Sequence, residues 1–223
     1  MKLPGIVTIE PDQTDLIDRA AEVLGTSFLE EPWFDEWLRA LDPLGVSAER
    51  KRKIMIANIK GCFLAHAPHQ AVYATEDFAG IAGGYLASEF GDNDHEELEE
   101  KGFKLELVNL LTSEEAAALT EADKTLAPVS DFSWARGHAN GADHIYFYAW
   151  AVDPNKRGTG AFRRLTQPFF DYADEHGINC YLECYSDKLQ SLYEHVGFEV
   201  VCTLESPSTP IVERCMVRKP QTQ

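Results

Sequence analysis

Hydrophobic positions along the chain recur at two spacings, near 3.6 and near 2, and the points where the spacing changes predict the order of elements. Residues 3 to 9 (Leu-Pro-Gly-Ile-Val-Thr-Ile) read as a first strand. Pro11-Asp12 then opens a helix in which Leu16, Ile17, Ala20, Val23 and Leu24 recur at helical spacing up to Gly25. An aromatic knot follows (Phe28, Trp33, Phe34, Trp37, Leu38), then a break at Pro43-Leu44-Gly45. Ser47 caps a second helix through Ile54, Ile59, Phe63 and Leu64, so two helices precede the next strands. Residues 71 to 75 and 79 to 87 form a hairpin around Glu76-Asp77. In its second arm, Gly80, Gly83 and Gly84 imply a bulge or a close backbone approach.

The pattern lapses between about 89 and 141. From Glu89 to Glu100 there are seven acids and no Lys or Arg, and the alanine-rich stretch 114 to 122 reads as a short helix. With too few large apolar residues for a core of its own, this segment is expected to be a helical insertion in a single domain spanning 1 to 223. Periodicity resumes with His144 to Val152, apolar enough to be a strand buried on both faces. A helix from about Gly160 to Glu175, a strand at 178 to 185, a helix at 187 to 195 and strands at 198 to 204 and 211 to 217 complete an α/β order.

Composition narrows the function. The chain carries 20 Lys+Arg against 37 Asp+Glu, a formal charge of -17. Binding to nucleic acid or anionic lipid works by Lys/Arg contacts that release counterions, so neither is an expected partner. No run of 18 apolar residues exists, and Lys2, Pro4, Glu10 and Asp12 interrupt any leader-like stretch. Five dispersed cysteines (Cys62, Cys180, Cys184, Cys202, Cys215) in a chain that needs no staple point to reduced thiols and a cytoplasmic setting. His66 and His69 have no cysteine or carboxylate at ligand spacing and read as helix-end histidines, so no metal is expected.

One segment reverses the charge. Between Pro154 and Pro168 lie Lys156, Arg157, Arg163 and Arg164 with no acid. The loop Val152 to Ala161 joins the buried strand to a helix through Gly158 and Gly160, and glycines there free backbone N-H groups to face an anion at a helix N-terminus.

Arg157-Gly158-Thr159-Gly160-Ala161-Phe162, opening a helix after an apolar strand, and Tyr193-Glu194-His195-Val196-Gly197-Phe198, about thirty residues later, together resemble the Gcn5-related N-acetyltransferases (GNAT). The ending Arg214-Cys215-Met216-Val217-Arg218-Lys219-Pro220, with Pro168 and Leu182-Glu183, looks like the branch of that family that includes puromycin acetyltransferase. The resemblance implies a mixed, twisted, roughly seven-stranded sheet flanked by helices, and acetyl-CoA as co-substrate. It implies that the amides of Gly158, Thr159, Gly160, Ala161 and Phe162 cradle the pyrophosphate, that Arg157 adds charge, and that the backbone of Ala151 and Val152 follows the pantetheine. Phe162 departs from the family's usual Gly or Ala; its ring either shifts the pantetheine arm, narrows the tunnel or points into the core. Tyr193 resembles the family's general acid, its other role being that of a core tyrosine.

Attack on a thioester needs a neutral amine, so a base must first take the ammonium's proton. Glu183, in Tyr181-Leu182-Glu183-Cys184, is the carboxylate in an otherwise apolar strand; base, contact to substrate charge and structural pairing are its three roles. Trp33, Phe34 and Trp37, together with Tyr148 on the buried strand, are core or substrate wall. The expected reaction is direct acetyl transfer to an amine, with a small, cationic acceptor favoured by the acidic surface. Protein or peptide acetylation, and non-catalytic CoA sensing, are the alternatives.

Overall fold

A strand that is apolar on both sides needs cover on both, and His144–Val152 receives it as the middle strand of a seven-stranded sheet. The computed structural model describes residues 1–221. They run β1 (Ile6–Thr8), α1 (Thr14–Phe28), α2 (Pro32–Arg39), α3 (Ala48–His66), β2 (Val72–Thr75), β3 (Gly80–Leu86), α4 (Ala87–Phe90), α5 (His95–Glu106), α6 (Ser113–Leu126) and α7 (Trp134–Ala139). There follow β4 (His144–Val152), α8 (Ala161–His176), β5 (Asn179–Cys184), α9 (Asp187–His195), β6 (Phe198–Glu205) and β7 (Val212–Arg218). The sheet order is β1-β2-β3-β4-β5-β7-β6, with only the β4–β5 pair parallel, so the sheet is mixed and mostly antiparallel.

α8 makes the crossover between the two parallel strands, and its stripe Leu165, Phe169, Phe170 and Ala173 packs on Phe147, Trp150 and Leu182. Full burial of a side chain such as Phe169 contributes roughly 2–3 kcal/mol. The other face of the sheet meets Ile17, Leu24, Ile54 and Phe63 of α1 and α3.

Three helices, not two, precede β2, because the aromatic knot is itself helical: Glu31 caps it and Pro32 fits the first turn, where a missing N-H costs nothing. β1 is shorter than the apolar run suggests because Gly5, at φ +71°, turns the chain before Ile6. The segment between β3 and β4 forms helices α4 to α7. Gly61 of α3 and Gly102 of α5 let these two helices touch backbone to backbone: a Cβ on Gly61 would stand 2.2 Å from the Gly102 carbonyl oxygen. Among the described residues no helix is long and apolar enough to cross a membrane.

Candidate active site

Pairing between β4 and β5 ends at Phe147 opposite Leu182, although β4 continues to Val152. The cause lies on the other edge of β4. Gly83 pairs with Ala149 and Gly84 with Phe147, which leaves Tyr148 as an extra, unopposed residue. Such a bulge bends its strand and re-aims the side chains beyond it. The glycines make room for it: a Cβ on Gly83 would lie 2.2 Å from Tyr148 Cε2, and one on Gly84 2.8 Å from the Tyr146 carbonyl oxygen. Past the bulge the two parallel strands part, and Tyr148 to Val152 line a cavity of about 960 Å³ with Leu182 to Ser186 opposite. Ala151 and Val152 thus line the cavity on the part of β4 that no longer pairs with β5.

One end of this cavity is the N-terminus of α8. Gly158 and Gly160 both sit at φ +79°, the left-handed region where a side chain is strained, and a Cβ on either would meet no atom within 4 Å. α2, α3, α5, α6 and α9 are capped by the side chains of Glu31, Ser47, Asp94, Thr112 and Ser186. α8 starts at Gly160 with no side-chain cap and no acid in its first turn. Its first amides are thus unspent donors at the positive end of a helix, flanked by Lys156, Arg157 and Arg163 on the cavity wall. That arrangement fits a pyrophosphate. Arg157 holds Glu30 at 3.0 Å in a pair whose members are both exposed, worth about 0–1 kcal/mol and readily exchanged for phosphate. Thr159 alone of the motif stays off the wall; its hydroxyl closes the loop by donating to the Lys156 carbonyl at 2.6 Å.

Phe162 is half-buried. Its ring centroid lies 5.7 Å from that of Trp150 and 6.4 Å from that of Tyr193, so it lines the cavity while leaning on the core cluster. Tyr193 is buried, and Trp150 Nε1 donates to its hydroxyl oxygen at 2.8 Å. Burial pushes the Tyr193 phenol above its ordinary range despite that hydrogen bond. The oxygen is held as an acceptor by Trp150 and is protonated at neutral pH, so its own O-H is left to point at a ligand.

The opposite end is aromatic and acidic. Phe28, Trp33, Phe34 and Trp37 line it, with centroids 4.9 Å apart for Phe28–Phe34 and 5.0 Å for Trp33–Phe34. Trp37 is also a core residue, while Trp33 is fixed by donating to Ser130 Oγ at 2.7 Å. Tyr148 is anchored by donation to the Ala71 carbonyl at 2.9 Å and presents its ring to the cavity. Glu183 lies on the cavity wall with both oxygens engaged, one by the Tyr146 hydroxyl at 2.9 Å and the other by Trp134 Nε1. Burial pushes its carboxyl up to about 8 against the pull of these donors. Its partners are neutral donors, not a cation.

Glu31 is a residue that the sequence reading did not single out. One oxygen accepts the amides of Trp33 and Phe34 at 3.0 and 3.2 Å, capping α2, while Oε1 is buried in the cavity wall without a partner. Burial pushes this carboxyl up to about 7, with the two amides acting the other way. Glu99 and Asp123, from α5 and α6, add two more carboxyls raised by burial, to about 7 and about 6. The Glu-Pro pair ahead of an aromatic run was a visible start signal for a helix; that the capping carboxylate leaves one buried oxygen unpartnered beside a cavity was not. Among the described residues no cluster suits a metal, and His66, which the spacing suggested was a simple helix-end residue, is buried against His95.

These features are those of an N-acetyltransferase scaffold, and comparison with known proteins agrees. The sequence profile of the Acetyltransferase (GNAT) family matches residues 24–198, and the chain belongs to that family. An uncharacterized N-acetyltransferase of Schizosaccharomyces pombe is 29% identical over 86 residues, which is 36% of this chain and 34% of that protein. The chain thus matches about a third of that relative's length.

A histone acetyltransferase HPA2 and related acetyltransferase from Corynebacterium glutamicum superposes with a TM-score of 0.57 at 15% identity, covering 100% of this chain and 99% of that one. A putative arylalkylamine N-acetyltransferase 7 from the mosquito Aedes aegypti gives 0.58 at 12% identity, covering 96% and 86%. At such identities these neighbours show the fold. Together with the family match they give a member of the GNAT family with GNAT architecture.

Proposed function

We propose that the enzyme transfers the acetyl group of acetyl-CoA directly to the amine of a small, cationic acceptor. The observation that carries this reading is the polarity of one continuous cavity. A donor-rich, cation-flanked end at α8 suits pyrophosphate, a carboxylate-and-aromatic end suits an ammonium, and the two meet where β4 and β5 part. Acetyl-CoA supplies a thioester carbonyl and a thiolate leaving group. Gly158, Gly160, Ala161 and Phe162 bind its phosphates by backbone amides, and the freed backbone of Ala151 and Val152 orients the arm. Glu31, with a buried oxygen that has no partner, accepts the ammonium's proton; its raised carboxyl lies close to working pH, where a base is most effective. Glu183 adds a second carboxyl deeper in the wall, mostly protonated at the pH where Glu31 titrates. Tyr193, its oxygen held by Trp150, keeps its proton for the sulfur.

The likeness of residues 214 to 220 to the puromycin acetyltransferase branch supports a small acceptor, and the free thiols of the chain suit a cytoplasmic setting. A protein acceptor is the second reading, since one structural neighbour bears a histone acetyltransferase name. The test is a panel of alkylamines, arylalkylamines, aminonucleosides, aminoglycosides and peptide amines with detection of released thiol. Turnover of small amines well above peptides is expected. Peptide preference would move the acceptor class, and acetyl-CoA binding without any turnover would make the protein a sensor.

A further inference from the structure

Behind the acidic end of the cavity lies a chain of four groups that the acetyl-transfer scheme does not use. His66 Nδ1 sits 2.8 Å from the Cys62 carbonyl oxygen, which can only accept, so Nδ1 carries the hydrogen and Nε2 of the neutral ring is an acceptor. His95 Nδ1 lies 2.9 Å from that Nε2 and must therefore donate to it. The remaining ring atom, His95 Nε2, is left as a lone pair. It is buried with no partner, on a side chain only 4% exposed. What it faces is Glu99 Oε1 at 3.6 Å. Burial holds both rings below the usual histidine range, so neither is an imidazolium that would make this contact an ion pair.

When Glu99 is ionised, a neutral ring nitrogen and a carboxylate oxygen are held face to face with no hydrogen between them, and a cation beside that oxygen favours this ionised form. The crossing of α3 and α5 at Gly61 and Gly102 fixes them there, because Cys62 and His66 ride on one helix and His95 and Glu99 on the other. Glu99 is half-open to the cavity and accepts from the Cys62 thiol at 3.8 Å. Phe132 and Tyr148, both on the cavity wall, close in on His95 with centroids at 5.1 and 4.9 Å. A primary ammonium has three N-H donors and favours aromatic faces, so in the cavity it meets the Glu99 carboxylate and the Phe132 and Tyr148 rings at once, with the lone pair of His95 Nε2 buried directly behind that carboxylate. Glu96, Glu100 and Asp123 surround this end, where the acids outnumber Lys104, a lysine that pairs with Glu100 at 3.3 Å in an exposed contact.

We infer that Glu99, Phe132 and Tyr148, backed by His95, form a seat for a second ammonium group, so that the acceptor is an organic dication, a diamine or polyamine, acetylated at one end and held at the other. This rests on the acetyl-transfer reading for what happens at the near end, but the seat itself is a binding site with its own readout.

The experiment compares α,ω-diaminoalkanes of three to six carbons with the alkylamine and the amino alcohol of equal length, by kcat/KM and by calorimetric binding to the full chain with CoA present. The best diamine should exceed its monoamine and amino alcohol at least tenfold, mainly through KM. Glu99→Gln should bring that ratio close to one, and His95→Asn should lower it. Glu99→Asp, which retracts the carboxylate by one methylene, should move the optimum to a longer diamine, a change that misfolding cannot imitate.

A wild-type ratio near one, or a ratio that survives Glu99→Gln, would overturn the seat. Glu99-dependent diamine binding without turnover would uphold the seat and sink acetyl transfer to diamines. Turnover of monoamines alone would do the reverse.

Discussion

The two ends of the cavity are built from different parts of the chain's chemistry. The α8 end is made of backbone: left-handed glycines, an uncapped helix start and unspent amides, with cations only at its margin. The acceptor end is made of side chains from α2, α5, α6 and β5, whose carboxyls Glu31, Glu99, Asp123 and Glu183 all stand above their ordinary range because the fold buries them. A backbone cradle depends on φ/ψ and hence on one local segment; a carboxylate pocket depends on what tertiary packing brings near. The first tolerates substitution only where glycine conformations persist. The second can be redirected one side chain at a time.

The contrast breaks most sharply at Gly160. Gly160→Asp places a carboxylate beside the expected phosphates and a side chain at φ +79°, so acetyl-CoA affinity should fall by about a hundredfold or more, whereas strain in the left-handed region costs about 1–2 kcal/mol of stability. Calorimetric titration beside a melting curve separates the two; a folded variant with wild-type affinity would disprove the cradle.

At the other end, Glu31→Gln should lower kcat/KM by about a hundredfold and remove the rise of activity with pH through about 7, while acetyl-CoA binding stays as it was. An unchanged pH profile would assign the base elsewhere, with Glu183→Gln the next variant to measure. Between the ends, Tyr193→Phe should reduce kcat by about ten- to several hundred-fold with acetyl-CoA affinity nearly intact, since a phenol raised by burial above its ordinary range can only assist a thiolate of about 8.5. Full turnover in that variant would make the residue structural.

A smaller effect concerns stability. Glu31, Glu99, Asp123, Glu183 and Glu213 have carboxyls raised on folding, so the folded state favours their protonated forms, and stability should decline as pH rises from about 5 through about 8. Glu115, held by Arg50 and down at about 2, works the opposite way and supports the fold only above the acid range. The ligand-free protein should therefore melt roughly 5 °C higher at pH 5 than at pH 8.5, and Glu183→Gln should flatten that slope. Melting points that rise with pH would contradict the buried-carboxyl account. Saturating acetyl-CoA, at about a hundred times its Kd, should add about 2.7 kcal/mol, and no shift at all would remove the cofactor site.

By itself the sequence determined whatever local spacing controls. The buried strand 144 to 152, the glycine loop, the helix after it and the Tyr193 to Phe198 ending all follow from residues adjacent in the chain, because backbone conformation and amphipathic period are set within a few residues. The glycines of β3 announced a close approach, yet which residue approached was settled only when Tyr148 lay across Gly83. The aromatic knot was visible, while its helical state depended on Glu31 at the cap. Only the tertiary structure decided the acceptor end. Glu31, His66, His95, Glu99 and Glu183 span the chain; the sequence offered Glu183 as a base, a substrate contact or a paired carboxylate, His66 as a helix-end histidine and His95 and Glu99 as members of an acidic stretch, and it did not single out Glu31. What gives them chemistry is burial and mutual facing, imposed by the Gly61–Gly102 helix crossing and the bulge in β4, and neither exists until distant segments pack together.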